Sequence, residues 1–392
     1  MPPAGPPVER CQPAVDGGPV DGVARAASRR DPLPGRRRPP RRGFAAALTG
    51  PDGPVLLRDV LGRYPLFAEP DGSDWAFDRA ALAEPVPVPA GHARGVVDGE
   101  VVTERVWSLP DEPPEPDRER AVGAVAGAVE AALGTAAEEA GGTAVAFSGG
   151  VDSALVAAGL GGPCYVAGFP DSHDVETARA AADAMGLDLR VVELDHADVE
   201  RAVPRVARAT GRTNAMDVSI ALPLSLVAER AAADGFDRLA VGQGADELFG
   251  GYQKVANAPG DHRVEADTVR GARRETVRSL PDQLERDVLA LRAAGVEPVA
   301  PLLDDRVVAA ALSLSGDLLV DGDERKVALR RVASAWVPDA VAAREKKAVQ
   351  YGSLVSRELD RLARQAGFKR RMDRHVDRYV ESLLRGGTRD RP

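Results

Sequence analysis

The sequence predicts an α/β protein: a doubly wound parallel sheet with a helical C-terminal part, preceded by a small N-terminal β-rich domain. Three observations carry this. Strand and helix signals alternate from TAVAF (143–147) to DRLAVG (237–242), the pattern of parallel strands joined by helical crossovers. The stretch AVAFSGGVDSALVAAGL (144–160) sets a Gly- and Ser-rich turn where a strand hands over to a helix. Beyond about residue 262 strand signals stop, and segments such as LERDVLALRAAG and SLVSRELDRLARQAG are apolar at helical spacing.

In chain order, residues 1–42 hold ten Pro and nine Arg among few large apolar residues. Such a stretch buries too little surface to offset its ordering entropy, so a disordered arm is expected, or otherwise a basic arm for an anionic partner. Residues 43–108 carry short β-type runs (FAAALTG, PVLLRDV, PLFAEP, EVVTERVW) between Gly, Pro and Asp turns. LPDEPPEPDRER (109–120) reads as a Pro-rich acidic linker. The α/β unit is expected over 121–370, and 371–392 as a charged tail.

Composition bounds the function. The 392 residues are 44% hydrophobic, with no run of eighteen uncharged apolar residues and no secretory start. A soluble cytoplasmic protein without a membrane partner is the expectation. Sixty acids against 51 bases leave a net charge of -9, which repels polyanions and argues against nucleic acid. Cys11 and Cys164 sit in unrelated contexts, and the five histidines show no ligand spacing, so neither a disulfide framework nor structural zinc is expected.

Ser148, Gly149 and Gly150 fit a phosphate-binding turn: glycines let backbone N–H groups approach phosphate oxygens, and the hydroxyls of Ser148 and Ser153 add donors. Asp152 would repel a phosphate unless a cation intervened, which argues for Mg²⁺ on a pyrophosphate. The Lys that closes a γ-phosphate loop is absent, so the leaving group is pyrophosphate and the α-phosphorus of ATP reacts. A second Gly-rich strand end, LAVGQGADELFGGYQK (239–254), brings Asp246 to the same edge to complete the Mg²⁺ shell. Gly168, Gly242 and Gly244, at or just after strand ends, join the expected nucleotide-binding positions.

SGGVDSALVA, GQGADELFGGY and REKKAVQYGS (344–353) together resemble the synthetase domain of the asparagine synthetase family. The resemblance implies an adenine nucleotide alpha-hydrolase-like fold with a pyrophosphate-binding loop, and a two-step reaction. A carboxylate, aspartate's side chain in the typical member, becomes an acyl-adenylate with release of pyrophosphate; ammonia or another amine then displaces AMP. RKVALRRVASAWVPDAVAAREKK resembles the family's K-x-x-L-R…LP…R-x-K run, placing the stabilising Lys at Lys346. PVLLRDVLGRYPLFAE, WAFDRAAL and VPVPAGHARGVV resemble the later half of the family's glutaminase domain. Its working members begin with an exposed cysteine; Cys11 lies in the Pro-rich arm, so no glutaminase is expected and a separate ammonia source is implied.

Two departures matter. Gln243 stands where Glu is common, and an amide cannot take a proton, so Gln243 is expected to orient substrate. EPVAPLLD (297–304) has Val299 in place of the family's Arg, which weakens recognition of a substrate carboxylate and leaves Glu297 as a candidate base. Beside asparagine formation stand a synthetase of another amide, a tRNA-modifying enzyme on the same sheet, and a nucleotide-binding regulator without turnover.

Overall fold

The computed structural model describes residues 13–37, 42–138, 142–258, 260–344 and 354–386. Two compact units follow one another, residues 1–110 and 111–392.

In the first unit, β1 (Ala14–Asp16), β2 (Ala45–Thr49), β3 (Pro54–Arg58), β7 (His92–Val97) and β8 (Glu100–Arg105) form an antiparallel sheet in that order. Three short strands, β4 (Phe67–Ala68), β5 (Trp75–Ala76) and β6 (Val86–Pro87), form a second sheet. Alternation along β2 explains why both its faces are apolar. Phe44 and Ala46 pack with Leu57 and Trp107 on one face, while Ala45 and Ala47 pack with Leu56 and Leu66 on the other. The Arg58–Asp59 pair ties the following turn: Arg58 donates to the carbonyls of Gly62, Tyr64 and Val88, and Asp59 accepts from the backbone of Leu61 and Arg63.

The expected disordered arm does not hold for its described part. β1 pairs with β2, and helix α1 (Val20–Arg29) buries Val23 and Ala26 against the same core. Its few apolar residues fall on one helical face, which composition alone conceals. Residues 1–12, with Cys11, lie outside the described residues.

The second unit opens with α2 (Arg118–Glu138). By length and composition α2 is apolar enough to cross a membrane. Its face of Val125, Val129, Ala132, Leu133 and Ala136 is buried instead, packed on α3 (Val151–Leu160) and on the helix Asp305–Leu312. β9 (Thr143–Ala146), β10 (Cys164–Gly168), β11 (Leu189–Glu193), β12 (Arg238–Ala240) and β13 (Glu297–Val299) make an all-parallel sheet of order β11-β10-β9-β12-β13. The order reverses at β9, so the turn after β9 stands at the switch point where such sheets bind ligands. Helices α4 (His173–Met185), α5 (His196–Thr210) and α6 (Ala215–Ala233) occupy the expected crossovers.

β13 escaped sequence reading because three residues containing Pro298 show no alternation; an edge strand tolerates that proline. The helical C-terminal part includes α7 (Ala245–Phe249), α8 (Gln253–Ala256), α9 (Val269–Arg278) and α10 (Leu280–Ala293). The expected charged tail after residue 370 is instead a helix, His375–Gly386, that buries Val376, Tyr379 and Val380 in the main core. Its Asp377 accepts from the Ala215 N–H at 2.7 Å and so caps the start of α6.

Candidate active site

The turn after β9 is shaped by one glycine and two serines. Gly149 has φ +72°, and a Cβ there would stand 2.6 Å from the Thr177 carbonyl oxygen. Ser153 accepts from the Ser148 backbone N–H and donates to the Gly150 carbonyl, pinning the turn onto the first turn of α3. Backbone N–H groups at the α3 N-terminus thus face the mouth of the sheet, a setting suited to an anion. The loop after β12 comes against it: a Cβ on Gly242 would lie 2.9 Å from Asp152 Cβ, and Gly244 has φ +86°. The β12 loop can come this close to Asp152 because Gly242 carries no side chain there.

That approach brings Asp152 and Asp246 to one cation, and the cation is Lys326. Its Nζ lies 2.6 Å from Asp152 Oδ2 and 2.8 Å from Asp246 Oδ1. Burial works against the Lys326 charge, but Asp152 and then Asp246 outweigh it and hold the ammonium above its ordinary pKa. Lys326 has φ +58° where the hairpin Val320–Arg325 passes into the helix Val327–Ala333. A Cβ on Gly251 would collide with both Asp246 and Lys326, so this glycine too makes room for the cluster. Sequence reading missed Lys326, although a rare Lys in a K-x-x-L-R run was the available signal.

These groups open onto a cavity of about 470 Å³, within the range of small-molecule sites. Ser148, Gly150, Asp152, Ser153, Gly242, Gly244 and Asp246 line it. Gln243 also lines it and donates to Asp287 Oδ2 at 2.5 Å; Asp287 in turn pairs with Arg286, which also pairs with Asp217. Burial opposes the Arg286 charge, but Asp287 and Asp217 hold its pKa above the ordinary value. Neither Arg286 nor Asp287 has a local motif, since both sit inside an ordinary helical pattern.

Glu247 lies buried beside Asp246, and Tyr252 donates to its Oε1 at 2.5 Å. Burial first, then the neighbouring Asp246 charge, pushes the Glu247 carboxyl up to about 7. The guanidinium of Arg330 binds the carbonyls of Arg325 and Ala342, and Arg344 donates to the Thr177 carbonyl, so the basic run 325–344 is tied to the same mouth.

Other expected residues stand elsewhere. Glu297 opens β13 opposite Arg238, whereas the mouth lies past the other end of these strands, after Ala240 and Val299. It is exposed and paired with Arg292 at 2.8 Å, so the structure does not bring this candidate base to the cavity. Val299 is buried within the strand. Gly168 ends β10 packed against Ser172 and is not part of the cavity wall. Lys346 and the rest of its motif past Arg344 lie outside the described residues. Among the described residues no group of three or more His, Cys, Asp or Glu side chains is arranged to hold a metal.

The family model for asparagine synthase matches residues 124–279 and 256–386, more than half of the chain. This chain belongs to the asparagine synthase family. It is 30% identical over 277 residues to the putative asparagine synthetase (glutamine-hydrolyzing) 1 of Methanocaldococcus jannaschii, covering 60% of this chain and 50% of that protein. It is 26% identical over 188 residues to asparagine synthetase B (glutamine-hydrolyzing) of Escherichia coli, covering 47% and 33%. The nodule asparagine synthetase (glutamine-hydrolyzing) of Pisum sativum is 24% identical over 203 residues, covering 47% and 33%. The chain therefore spans half or less of the length of these curated relatives. The family matches begin at residue 124, so the glutaminase-like reading of residues 43–108 does not rest on them.

Proposed function

We propose that this protein is an ATP-dependent, AMP-forming amide synthetase. The observation that carries the reading is the meeting of Asp152 and Asp246, from two Gly-rich strand ends, on one cation at the switch point of the sheet. In the first step a carboxylate oxygen attacks the α-phosphorus of ATP, the bond to the β-phosphate bridge breaks, and pyrophosphate leaves. In the second, an amine nitrogen attacks the acyl carbon, the bond to the AMP oxygen breaks, and the amine loses a proton. Ser148, Gly149, Gly150 and Ser153 hold the pyrophosphate, with Gly242 and Gly244 giving the nucleotide close access to the backbone. Lys326 and Lys346 offset charge that develops during transfer. Gln243, held by Asp287, orients substrate, and Glu247 in place of Glu297 accepts the proton.

The donor set suits Mg²⁺: two carboxylates already converge on one positive charge, and phosphate oxygens would supply the remaining hard ligands. Bound by Asp152 and Asp246, the metal would neutralise phosphate charge. The family resemblance makes aspartate the starting candidate for the acid, with free ammonia, an amine or a separate ammonia source supplying nitrogen. A cytoplasmic setting accords with the ATP requirement.

Acid-dependent ATP–pyrophosphate exchange tests the reading. Exchange should require Mg²⁺, and Asp152→Asn or Asp246→Asn should lower it by about 10²-fold or more, with the thermal transition retained. In Lys326→Met, Mg²⁺ alone should raise the melting temperature more than in the parent protein, because the metal meets no resident ammonium. Wild-type exchange in both Asn variants would remove the two-carboxylate site.

A further inference from the structure

The wall of the cavity is uneven in a way that bears on which acid is activated. Ile220, Leu224 and Val227 recur along one face of α6, and Leu280 and Leu284 do so on α10; together they form an apolar surface facing the cavity. Leu280 and Leu284 are followed on the same helical face by Asp287, which holds Gln243 of the β12 loop. Through Leu280 and Leu284 the apolar surface therefore extends to the β12 side of the switch point, and the α6 residues, on a helix that packs on β10 and on α10, continue it across the cavity.

The charges are distributed the other way. Arg325, Lys326, Arg330 and Arg344 all come from one segment and line the phosphate end. On the β12 side the cation lining the cavity among the described residues is Arg286, buried and shared between Asp287 at 2.7 Å and Asp217 at 2.8 Å; Arg212 also acts on Asp217 but is taken up by Glu285 at 3.4 Å. Two positive charges, Arg286 and Arg212, against the three carboxylates Asp287, Asp217 and Glu285 leave that side with a fixed charge of the wrong sign for a second carboxylate. Drawing a substrate's extra carboxylate into such a place costs its hydration without a compensating partner. Val299, buried in β13, adds no cation.

We infer that the acid activated here is an apolar monocarboxylate, with an aliphatic or aryl body seated on Leu224, Leu280 and Leu284, rather than aspartate. This rests on the adenylation reading above, which sets amide formation on the β12 loop with Gln243 and Glu247, so that the acid's body lies on the same side. The reacting carboxylate meets the cationic end, and the rest of the molecule meets the leucines. Base-side contacts for ATP remain on the β10 side, with Tyr165, Val166 and Ala167.

The test is ATP–pyrophosphate exchange by the full chain with Mg²⁺, across acetate, butanoate, hexanoate, benzoate, aspartate and glutamate. Exchange supported by hexanoate or benzoate should exceed that supported by aspartate by about 10-fold in kcat/KM, rising about 4-fold per methylene along the aliphatic series. Leu284→Ala, with Leu224→Ala as the milder variant at a half-exposed position, should raise the KM of the apolar acid about 10-fold and change ATP affinity less than about 3-fold. Best exchange with aspartate or glutamate overturns the inference and leaves adenylation standing. Equal weakening of ATP and acid in both leucine variants assigns the apolar wall to the nucleotide and also overturns it. Exchange with none of the acids overturns the adenylation reading, and this inference with it.

Discussion

Glu247 is a carboxyl whose environment moves its titration toward neutral pH. It lies buried against Asp246, and the Tyr252 hydroxyl, a backbone N–H and the Lys326 charge offset only part of what burial and Asp246 cost its charged form. A carboxyl whose folded pKa is raised from 4.5 to about 7 contributes fully to stability below 4.5 and loses that contribution as pH rises toward 7. The loss amounts to about 3 kcal/mol over that window. Urea unfolding of the parent protein and of Glu247→Gln should therefore differ in pH dependence. The stability of the parent relative to the variant should fall by about that amount between pH 4.5 and 7 and level off above it. Parallel curves would mean that Glu247 is ionised at neutral pH. Lys326 works in the opposite sense, since its two carboxylate neighbours keep the ammonium charged despite burial.

At the scale of elements, the site depends on how closely a turn and a helix can approach. The turn between β9 and α3 runs under α4, with the Thr177 carbonyl where a Gly149 Cβ would stand. Gly149→Ala meets both a left-handed φ and that backbone clash, a cost of about 1–3 kcal/mol. The turn should yield first, because α3 and α4 are anchored in the core while the turn carries only its own hydrogen bonds. ATP affinity measured by calorimetry should fall by about 10-fold or more, with a smaller loss of thermal stability. An unchanged affinity would remove the turn from the phosphate site. The SGG pattern was legible in sequence because a strand, a glycine-rich turn and a helix follow one another locally. The place of Lys326 between two aspartates was not, because its partners lie 174 residues away at Asp152 and 80 away at Asp246 in the chain.

For the whole molecule, the two units have separate cores. The main core of the second unit joins β10 and β12 to α5, α6 and α10 and to both C-terminal helices. Every residue lining the cavity belongs to that unit. Residues 111–392 produced alone should thus unfold in one cooperative transition and bind ATP within about 3-fold of the full chain. The measurement is a denaturant titration beside ATP calorimetry. A broad, non-cooperative transition would show that the cavity depends on the first unit.

The sequence by itself determined the parallel α/β class, the helical C-terminal part, the β-rich first unit and both Gly-rich strand ends. Each of these is written in local periodicity or in residues adjacent along the chain. Tertiary structure alone decided which charges meet. It set Lys326 between the two aspartates and committed Arg286 to Asp217 and Asp287. It also turned Glu297 to the far end of its strand. The sparsely apolar stretches near the two ends became ordered for a related reason: α1 and the helix His375–Gly386 each concentrate their few large residues on one face, and each meets a core able to bury it. Composition averages over faces, whereas burial acts on one face at a time; electrostatic pairing acts through space, which the order of residues does not record.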